Sequence, residues 1–574
     1  MKRISVLPPE ISQKIAAGEV IERPVSVVKE LVENSLDAGA TEVDVDLVAG
    51  GKTLIRVRDD GQGMSREDAE ISFVRHSTSK IAREEDLLEI ATLGFRGEAL
   101  PSISSVSRLT LRTSEGVGGA GTEIEREGET TLSIKDIAAP RGTTVEVHDL
   151  FFNLPARLKF LRGHQAELGQ IVKYLTNVAL SYPTLRLALR HGARSILDCP
   201  PVAGLKERLF QLYGKSLLDR LMDVDYAEGG NRLSGFASLP PMGKSDRSHQ
   251  LFFVNRRPVH DKILSSALNQ AYRGILEKDL APEAFLFLTV PYGEVDVNVH
   301  PAKSEVRFSQ SSAVFQLVLR SVTHGRLKVE GIKEVHSAGV APSALKQPEP
   351  FALNIPFKVA EADAPFEFPA DAAADVVYSD AGAARPERRV LGQFANTYIV
   401  AEDAEGLLVV DQHNAHERIL FDKYEEIDRR KKWPVKMSLI PLVFDLSPSQ
   451  TVSLEPGREI LEGAGFRVEA MGGRSYALRE YPDIFQPEEA LAALLELLEE
   501  LREGPAEGKK AKLLATMACK TAIKAGQPLP REKMEFLVQE LFKTTNPSLC
   551  PHGRPIVLRL AKSQIEKGLR RPVN

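Results

Sequence analysis

In the segment RPVSVVKELVENSLDAGAT, three polar residues, Glu30, Asn34 and Asp37, stand at i, i+4 and i+7. In a helix that spacing places them on one face. A carboxylate one turn before a carboxamide pairs a general base with a neutral oxygen ligand for Mg²⁺, a hard cation that takes oxygen ligands and keeps several waters. Alone, the stripe reads equally as the solvated side of an amphipathic helix. Further along, RVRDDGQGM runs a strand into a turn with Asp59, Asp60, Gly61 and Gly63, and TLGFRGEAL brings Gly94 and Gly97. APRGTTVEVHD sets Gly142 and Thr143 at a strand start. Glycines let backbone N–H groups approach phosphate oxygens closely.

A second chemistry lies in DQHNAHERILFD (411–422), ACKTAIKAG (518–526) and CPHGRP (550–555). His413 and Glu417 are at i, i+4, with Asp411 just before them. Cys550 and His552, two apart, point the same way on an extended loop. Imidazole, thiolate and carboxylate together suit Zn²⁺ or Mn²⁺-like ions. Alone, a His-x-x-x-Glu pair is usually an exposed helix pair and a single Cys is usually buried packing.

Elements must position these groups. Pro24 suits a helix start and Gly39 its end, with Val25, Val28, Leu31, Val32 and Leu36 as apolar surface. TEVDVDLVAGGKTLIRVRDDG and TTVEVHDLF alternate or run apolar as strands do. From about Gly331 to Arg388, Ala, Pro, Asp and Glu accumulate and no period lasts, which predicts a mobile linker. RRVLGQFANTYIVAEDAEGLLVVDQHNAHERI predicts two strands, broken by a turn at AEDAEG, then a helix opening near Asn414. PEEALAALLELLEELRE predicts an amphipathic helix between Pro487 and Gly504.

At 574 residues the chain has room for about three to five domains. A net charge of −5 excludes a basic nucleic-acid coat, so any DNA contact must come from local basic patches. Two clusters qualify: Arg256, Arg257 and Lys262 in NRRPVHDK, and Lys567, Arg570 and Arg571 in KGLRRPVN. The usual reading of such runs is a solvated face. The three cysteines, Cys199, Cys519 and Cys550, exclude a disulfide scaffold. There is no leader-like start and no membrane-length apolar run. The expected location is cytoplasmic, nucleoid-associated when active.

The four nucleotide motifs, in order, resemble those of the GHKL ATPases: gyrase B-type topoisomerases, Hsp90, histidine kinases and MutL. IAAGEVIERPVSVVKELVENSLDAGAT, RHSTSKI, GFRGEALPSISSV, LFFVNRRPV and DVNVHPAKSEVRF narrow the resemblance to the MutL-type mismatch-repair family, over most of residues 1–330. It implies an α/β (α+β) fold: a Bergerat-type GHKL ATPase domain (1–212) and a ribosomal S5-like transducer domain (213–330), then a disordered linker (331–388) and an α/β C-terminal dimerisation and endonuclease domain (389–574). Glu30 is then the base that activates water, Asn34 the Mg²⁺ ligand and Asp59 the acceptor for the adenine amino group of ATP. Gly61, Gly63, Gly94, Phe95, Arg96, Gly97 and Thr143 surround the nucleotide, the glycine loops forming a lid. Lys303 reaches the γ-phosphate, a role that suits a flexible point charge. Arg256, Arg257 and Lys262 fall where the family contacts DNA backbone, with Asn255-Arg256-Arg257 in place of the family's usual Asn-Gly-Arg. No base-reading motif is visible, so binding independent of sequence is expected.

The C-terminal segments resemble the metal-dependent nicking site of endonuclease-type MutL proteins, in which DQHA-x-x-E-x-x-x-x-E and CPHGRP meet. The implied ligands of Mn²⁺ or Zn²⁺ are Asp411, His413, Glu417, Cys550 and His552. Asn414 stands in place of the family's Ala, and Asp422 in place of its Glu. KMSLIP (436–441) occupies the sliding-clamp motif, with Lys436 where the family has Gln. The implied function couples mismatch recognition to repair through ATP-driven closure on DNA, with metal-dependent nicking. The alternative is a matchmaker without nuclease activity. The implied partners are DNA, a second copy in a homodimer, the mismatch-recognition protein MutS, a sliding clamp and a helicase, and no membrane. A topoisomerase or chaperone sharing the GHKL domain is the more distant reading. No topoisomerase-like metal domain or active-site tyrosine region is recognisable.

Overall fold

The computed structural model describes residues 20–80, 93–94, 97–116, 119–244, 246–276, 280–296, 306–329, 388–431, 433–501, 506–524 and 526–569. The chain divides into two compact units, one of Met1–Ile332 with Leu420–Ala522, the other of Lys333–Ile419 with Ile523–Asn574. The segment expected to be a linker lies almost wholly outside the described residues.

The first unit opens with α1 (Pro24–Asp37) and an eight-stranded sheet. Its strands are β1 (Glu42–Val48), β2 (Leu54–Asp59), β3 (Arg108–Ser114), β4 (Ala120–Glu127), β5 (Thr130–Ala138), β6 (Gly142–His148), β7 (Arg186–His191) and β8 (Arg194–Cys199). Their order is β5-β4-β3-β6-β2-β1-β7-β8, and β1 pairs with β7 in parallel. Strand alternation sorts the side chains. Val43, Val45 and Leu47 are buried, whereas Glu42, Asp44 and Asp46 turn outward and meet Arg186, Arg190 and Arg56 in ion pairs across the strands. α1 begins at Pro24 and stops before Gly39, whose φ of +71° suits the helix exit. Val27, Val28, Leu31 and Val32 are buried in one core with the sheet and with α2 (His164–Ser181). The polar face of α1 is thereby turned outward.

A second sheet follows: β9 (Leu221–Glu228), β10 (Asn231–Ser238), β11 (Gln250–Val254), β12 (Arg257–Val259) and β13 (Ala284–Thr289), ordered β12-β11-β13-β10-β9. β11 and β13 are parallel, joined through α3 (Lys262–Ala271). α3 and α4 (Ser311–Val329) share a separate apolar core with these strands. Between β14 (Val295–Asp296) and β15 (Arg307–Phe308) runs the stretch that holds Lys303. Lys303, like Phe95 and Arg96, lies outside the described residues.

In the second unit, β16 (Arg389–Phe394), β17 (Tyr398–Asp403), β18 (Gly406–Asp411) and the last strand, β22 (Val557–Ala561), form an antiparallel sheet in that order. Val390, Ile399, Ala401, Leu408 and Val410 form one core with Met534, Leu537, Val538 and Leu541 of the helix Arg531–Leu541. There are three strands before the helix where two were expected. Ala395 and Asn396 each adopt φ +51° and make a tight turn inside what reads as one apolar run. α5 (Gln412–Arg429) starts two residues before the expected Asn414. Asp411 Oδ1 accepts from the amides of His413 and Asn414, both at 3.0 Å, and caps the first turn.

Residues 420–522 add to the first unit β19 (Val435–Asp445), β20 (Arg467–Gly472) and β21 (Ser475–Pro482), ordered β19-β21-β20. The helix Pro487–Glu500 buries Ala490, Ala493, Leu494, Leu497 and Leu498, the helical spacing its sequence predicts.

Candidate nucleotide and metal sites

Glu30, Asn34 and Asp37 lie partly exposed on the outward face of α1. Lys80, from RHSTSKI, reaches that face. Its Nζ donates to Asn34 Oδ1 at 2.9 Å and to Asp37 Oδ2 at 2.6 Å. The amides of Leu93 and Gly94 donate to the Asp37 carboxylate at 3.0 and 3.1 Å. A Cβ at Gly94 would stand 3.3 Å from Lys80 Nζ and 3.9 Å from Asn34 Oδ1, so glycine leaves this polar cradle open. The ammonium stands in for a cation between two side-chain oxygens. A site that seats one there has the hard oxygen donors that Mg²⁺ takes.

Asp59 ends β2 beside this cradle. Ser35 Oγ donates to its Oδ2 at 2.7 Å, and the amides of Gly61 and Thr143 donate to Oδ1 at 3.0 and 3.2 Å. Burial pushes the Asp59 carboxyl above its ordinary value, against the lowering from these three donors. All the donors face oxygens, so the group is fixed as an acceptor. Neighbouring Asp60 is engaged by Thr41 and by the Glu42 amide.

Two of the expected lid glycines have a reason in chain packing. A Cβ at Gly63 would lie 1.9 Å from Ser114 O, and one at Gly97 2.4 Å from Ser77 O; both residues have positive φ. Gly97 thus lets its loop close on the segment that carries Lys80. Lys80 and Ser35 are participants that the sequence did not single out. The only signal was the family wording of RHSTSKI, which assigns Lys80 no partner.

In the second unit, α5 and the CPHGRP loop meet. Glu417 and Cys550 are buried, and a carboxylate oxygen, the thiol sulfur and a His552 ring nitrogen lie within 4.8 Å of one another. Glu417 Oε2 is 3.3 Å from His552 Nδ1, and its Oε1 is 3.2 Å from His413 Nε2. His413 Nδ1 donates to Ile523 O at 2.8 Å, which fixes the tautomer and leaves Nε2 toward Glu417. Burial pushes the Cys550 thiol up, but hydrogen bonds from His552 and from the backbone at Arg554 and His552 bring it below the usual thiol value. A carboxylate, a thiol and an imidazole that converge in this way fit a borderline-soft ion such as Zn²⁺. Asp411 is not among the converging ligands; one of its oxygens caps α5. Asp422 lies further along the helix.

The expected DNA-contact residues flank one hairpin. Asn255 and Arg256 form the turn between β11 and β12 with φ of +47° and +67°. Asn255 is anchored by reciprocal bonds with Val290, Nδ2 to O and N to Oδ1, both at 3.0 Å. The exposed Arg256 has its guanidinium 5.8 Å from the Tyr182 ring centroid. Lys262, also exposed, is the first residue of α3, capped by Asp261. Lys567 lies on the helix Lys562–Gly568, while Arg570 and Arg571 are outside the described residues. On β19, Lys436 Nζ pairs with Asp483 Oδ1 at 2.7 Å, and Met437 and Ile440 are exposed. No helix among the described residues is long and apolar enough to cross a membrane.

Three family descriptions match the chain. A histidine kinase-, DNA gyrase B- and HSP90-like ATPase matches residues 22–147, the DNA mismatch repair protein C-terminal domain matches 209–325, and the MutL C-terminal dimerisation domain matches 391–529. The mismatch repair protein MutL of Koribacter versatilis (strain Ellin345) is 39% identical over 100% of both chains. That of Anaeromyxobacter dehalogenans (strain 2CP-1) is 39% identical over 99% of each. The solved Aquifex aeolicus MutL ATPase domain complexed with ADP is 32% identical, over 52% of this chain and 98% of its own, with a TM-score of 0.37. By the family descriptions and the full-length relatives, the chain carries a GHKL-type ATPase domain and a C-terminal dimerisation domain.

Proposed function

Because the chain belongs to the MutL family of DNA mismatch-repair proteins, we propose that it is an ATP-gated repair factor with a metal-dependent nicking site. ATP binding and hydrolysis control the hold of the N-terminal domains on DNA and couple mismatch recognition, by a MutS-type partner, to later repair. The work divides between an ATPase domain at 1–212, a transducer at 213–330, a tether at 331–388 and a C-terminal domain at 389–574. Its setting is the cytoplasm.

The observation that carries the nucleotide reading is the pairing of the Lys80 cradle with the fixed acceptor Asp59. Asp59 accepts the amino group of adenine. Asn34 and Asp37 would hold Mg²⁺, which when bound would neutralise phosphate charge. Asp59→Asn tests this. Its amide must aim hydrogens at Ser35, or at the Gly61 and Thr143 amides, and it loses an acceptor. ATP affinity, read with a fluorescent analogue, should fall at least about 10-fold. Unchanged affinity would move the adenine elsewhere.

Arg256, Arg257 and Lys262 hold DNA through phosphates. A two-residue hairpin turn with both φ values positive favours Asn-Gly, and an Arg at φ +67° is strained by about 1 kcal/mol. A strained residue kept at an exposed position points to a use. Arg256→Gly should raise the melting temperature yet weaken binding to a mixed-sequence duplex, lowering the log–log salt slope by about 1. A slope that does not change would leave Arg256 without a phosphate.

Homodimerisation uses the outer face of the second unit's sheet. Leu558 and Leu560 are exposed on β22, opposite Val409 and Leu407 of β18. Together they make an apolar face on the side away from the unit's core.

A further inference from the structure

We propose that Asn414 and Arg418 are positioning residues that clamp the base of the Cys550–Arg554 loop against α5, and so hold Cys550 and His552 at the distance where they meet Glu417. The proposal rests on the metal-site reading above.

The loop is a closed hairpin. Leu549 and Pro555 form an antiparallel bridge at its base. Inside it, the Cys550 amide donates to Arg554 O and the Gly553 amide to Cys550 O, both at 2.9 Å. Gly553 supplies the positive φ of +80° that the reversal requires. These bonds shape the loop but do not fix it to the helix.

Besides the Glu417–His552 contact, two helix side chains do. Asn414 Nδ2 donates to Pro555 O at 3.3 Å, and Arg418 Nε donates to Leu549 O at 3.0 Å. Their acceptors are the carbonyls of the two residues that form the bridge, one on each side of the loop. Asn414 and Arg418 are four apart, so they form a stripe along α5. Beside it runs the stripe of His413 and Glu417, also four apart, which faces the ring and sulfur donors. One helix face thus does two jobs in register. Asp411 fixes the start of that helix through its bonds to the amides of His413 and Asn414.

Asn414 is buried, so water competes little for its bond to Pro555. Its amide nitrogen is committed to a backbone carbonyl on the loop. The carboxamide that replaces the Ala of endonuclease-type relatives therefore acts as a tether. A loop ordered before the ion arrives spares metal binding the cost of ordering it.

The test uses the full chain with Co²⁺ as the probe, read by thiolate-to-cobalt absorption, and with hydrogen exchange over residues 549–555 without metal. Asn414→Ala should weaken Co²⁺ binding about 3- to 10-fold and speed exchange of the loop amides, with thermal melting otherwise unchanged. Arg418→Ala should do the same, and Arg418→Lys, which keeps a donor, should restore most of the affinity. Loop exchange and Co²⁺ affinity that match wild type in Asn414→Ala and in the double alanine variant would overturn the clamp. Should the double variant fail to fold, the single Asn414→Ala decides. Absence of the thiolate band in the wild type would sink the metal reading, and the exchange measurement would still judge the clamp.

Discussion

Glu30→Ala should bind ATP close to the wild-type level and hydrolyse it at least about 100-fold more slowly, the contribution typical of a positioned general base. The argument is one of division of labour along α1. Asn34 and Asp37, one and two turns further on, engage Lys80 and the Leu93 and Gly94 amides. Asp59 is held by Ser35, Gly61 and Thr143. None of these bonds involves Glu30, so its removal leaves the binding groups in place. On the proposed reading, what is lost is the carboxylate that takes the proton from the attacking water. Asn34→Ala gives the opposite pattern, because it removes an oxygen from the cation cradle and weakens Mg²⁺–ATP binding itself. Steady-state turnover beside nucleotide affinity separates the two. Equal turnover in Glu30→Ala and wild type would take Glu30 out of the base role.

The helix that carries Glu30 was legible because its signals are local. The period of 3.6 residues sets which side chains share a face, and Pro24 and Gly39 mark the ends. Groups brought together from distant segments were legible only where the family resemblance named them, as with α5 and the CPHGRP loop. Lys80 reaches Asn34 and Asp37 across more than forty residues, and nothing in RHSTSKI says which acceptors it will find. Asp411 has the chemistry of a ligand, but its place one residue before a helix makes it a cap, and the backbone amides claim one oxygen first. Asn414 reads as an extra ligand or an obstruction until Pro555 O appears as its partner. The turn at Ala395–Asn396 hid a strand boundary, because Ala is a poor predictor of positive φ. In the candidate metal site, the pair on α5 was visible from its i, i+4 spacing. Its meeting with Cys550 and His552 depends on the fold of the whole second unit.

Glu417→Lys should abolish Mn²⁺-dependent nicking of supercoiled DNA, a loss of at least about 100-fold, while ATP turnover stays at the wild-type rate. Phosphodiester cleavage draws on a bound metal to polarise phosphate and to lower the pKa of water. Glu417 is the hub of the cluster, with one carboxylate oxygen toward His413 and the other toward His552. It is buried beside Cys550, so its charge is little screened by solvent. An ammonium in its place puts a positive charge where a cation should bind and removes the carboxylate that faces both imidazoles. Glu417→Gln, similar in size and neutral, separates loss of charge from disrupted packing and should also lose nicking while melting near the wild-type temperature. ATP turnover is spared because Glu30 and Asp59 belong to the first unit and Glu417 to the second. Nicking by Glu417→Lys at the wild-type rate would assign the activity to other residues or to a contaminant. If purified wild type never nicks DNA with Mn²⁺, the ATP-gated matchmaker without nuclease chemistry becomes the better reading. The converging carboxylate, thiol and imidazole would then be a metal-binding scaffold whose thiolate favours structural Zn²⁺.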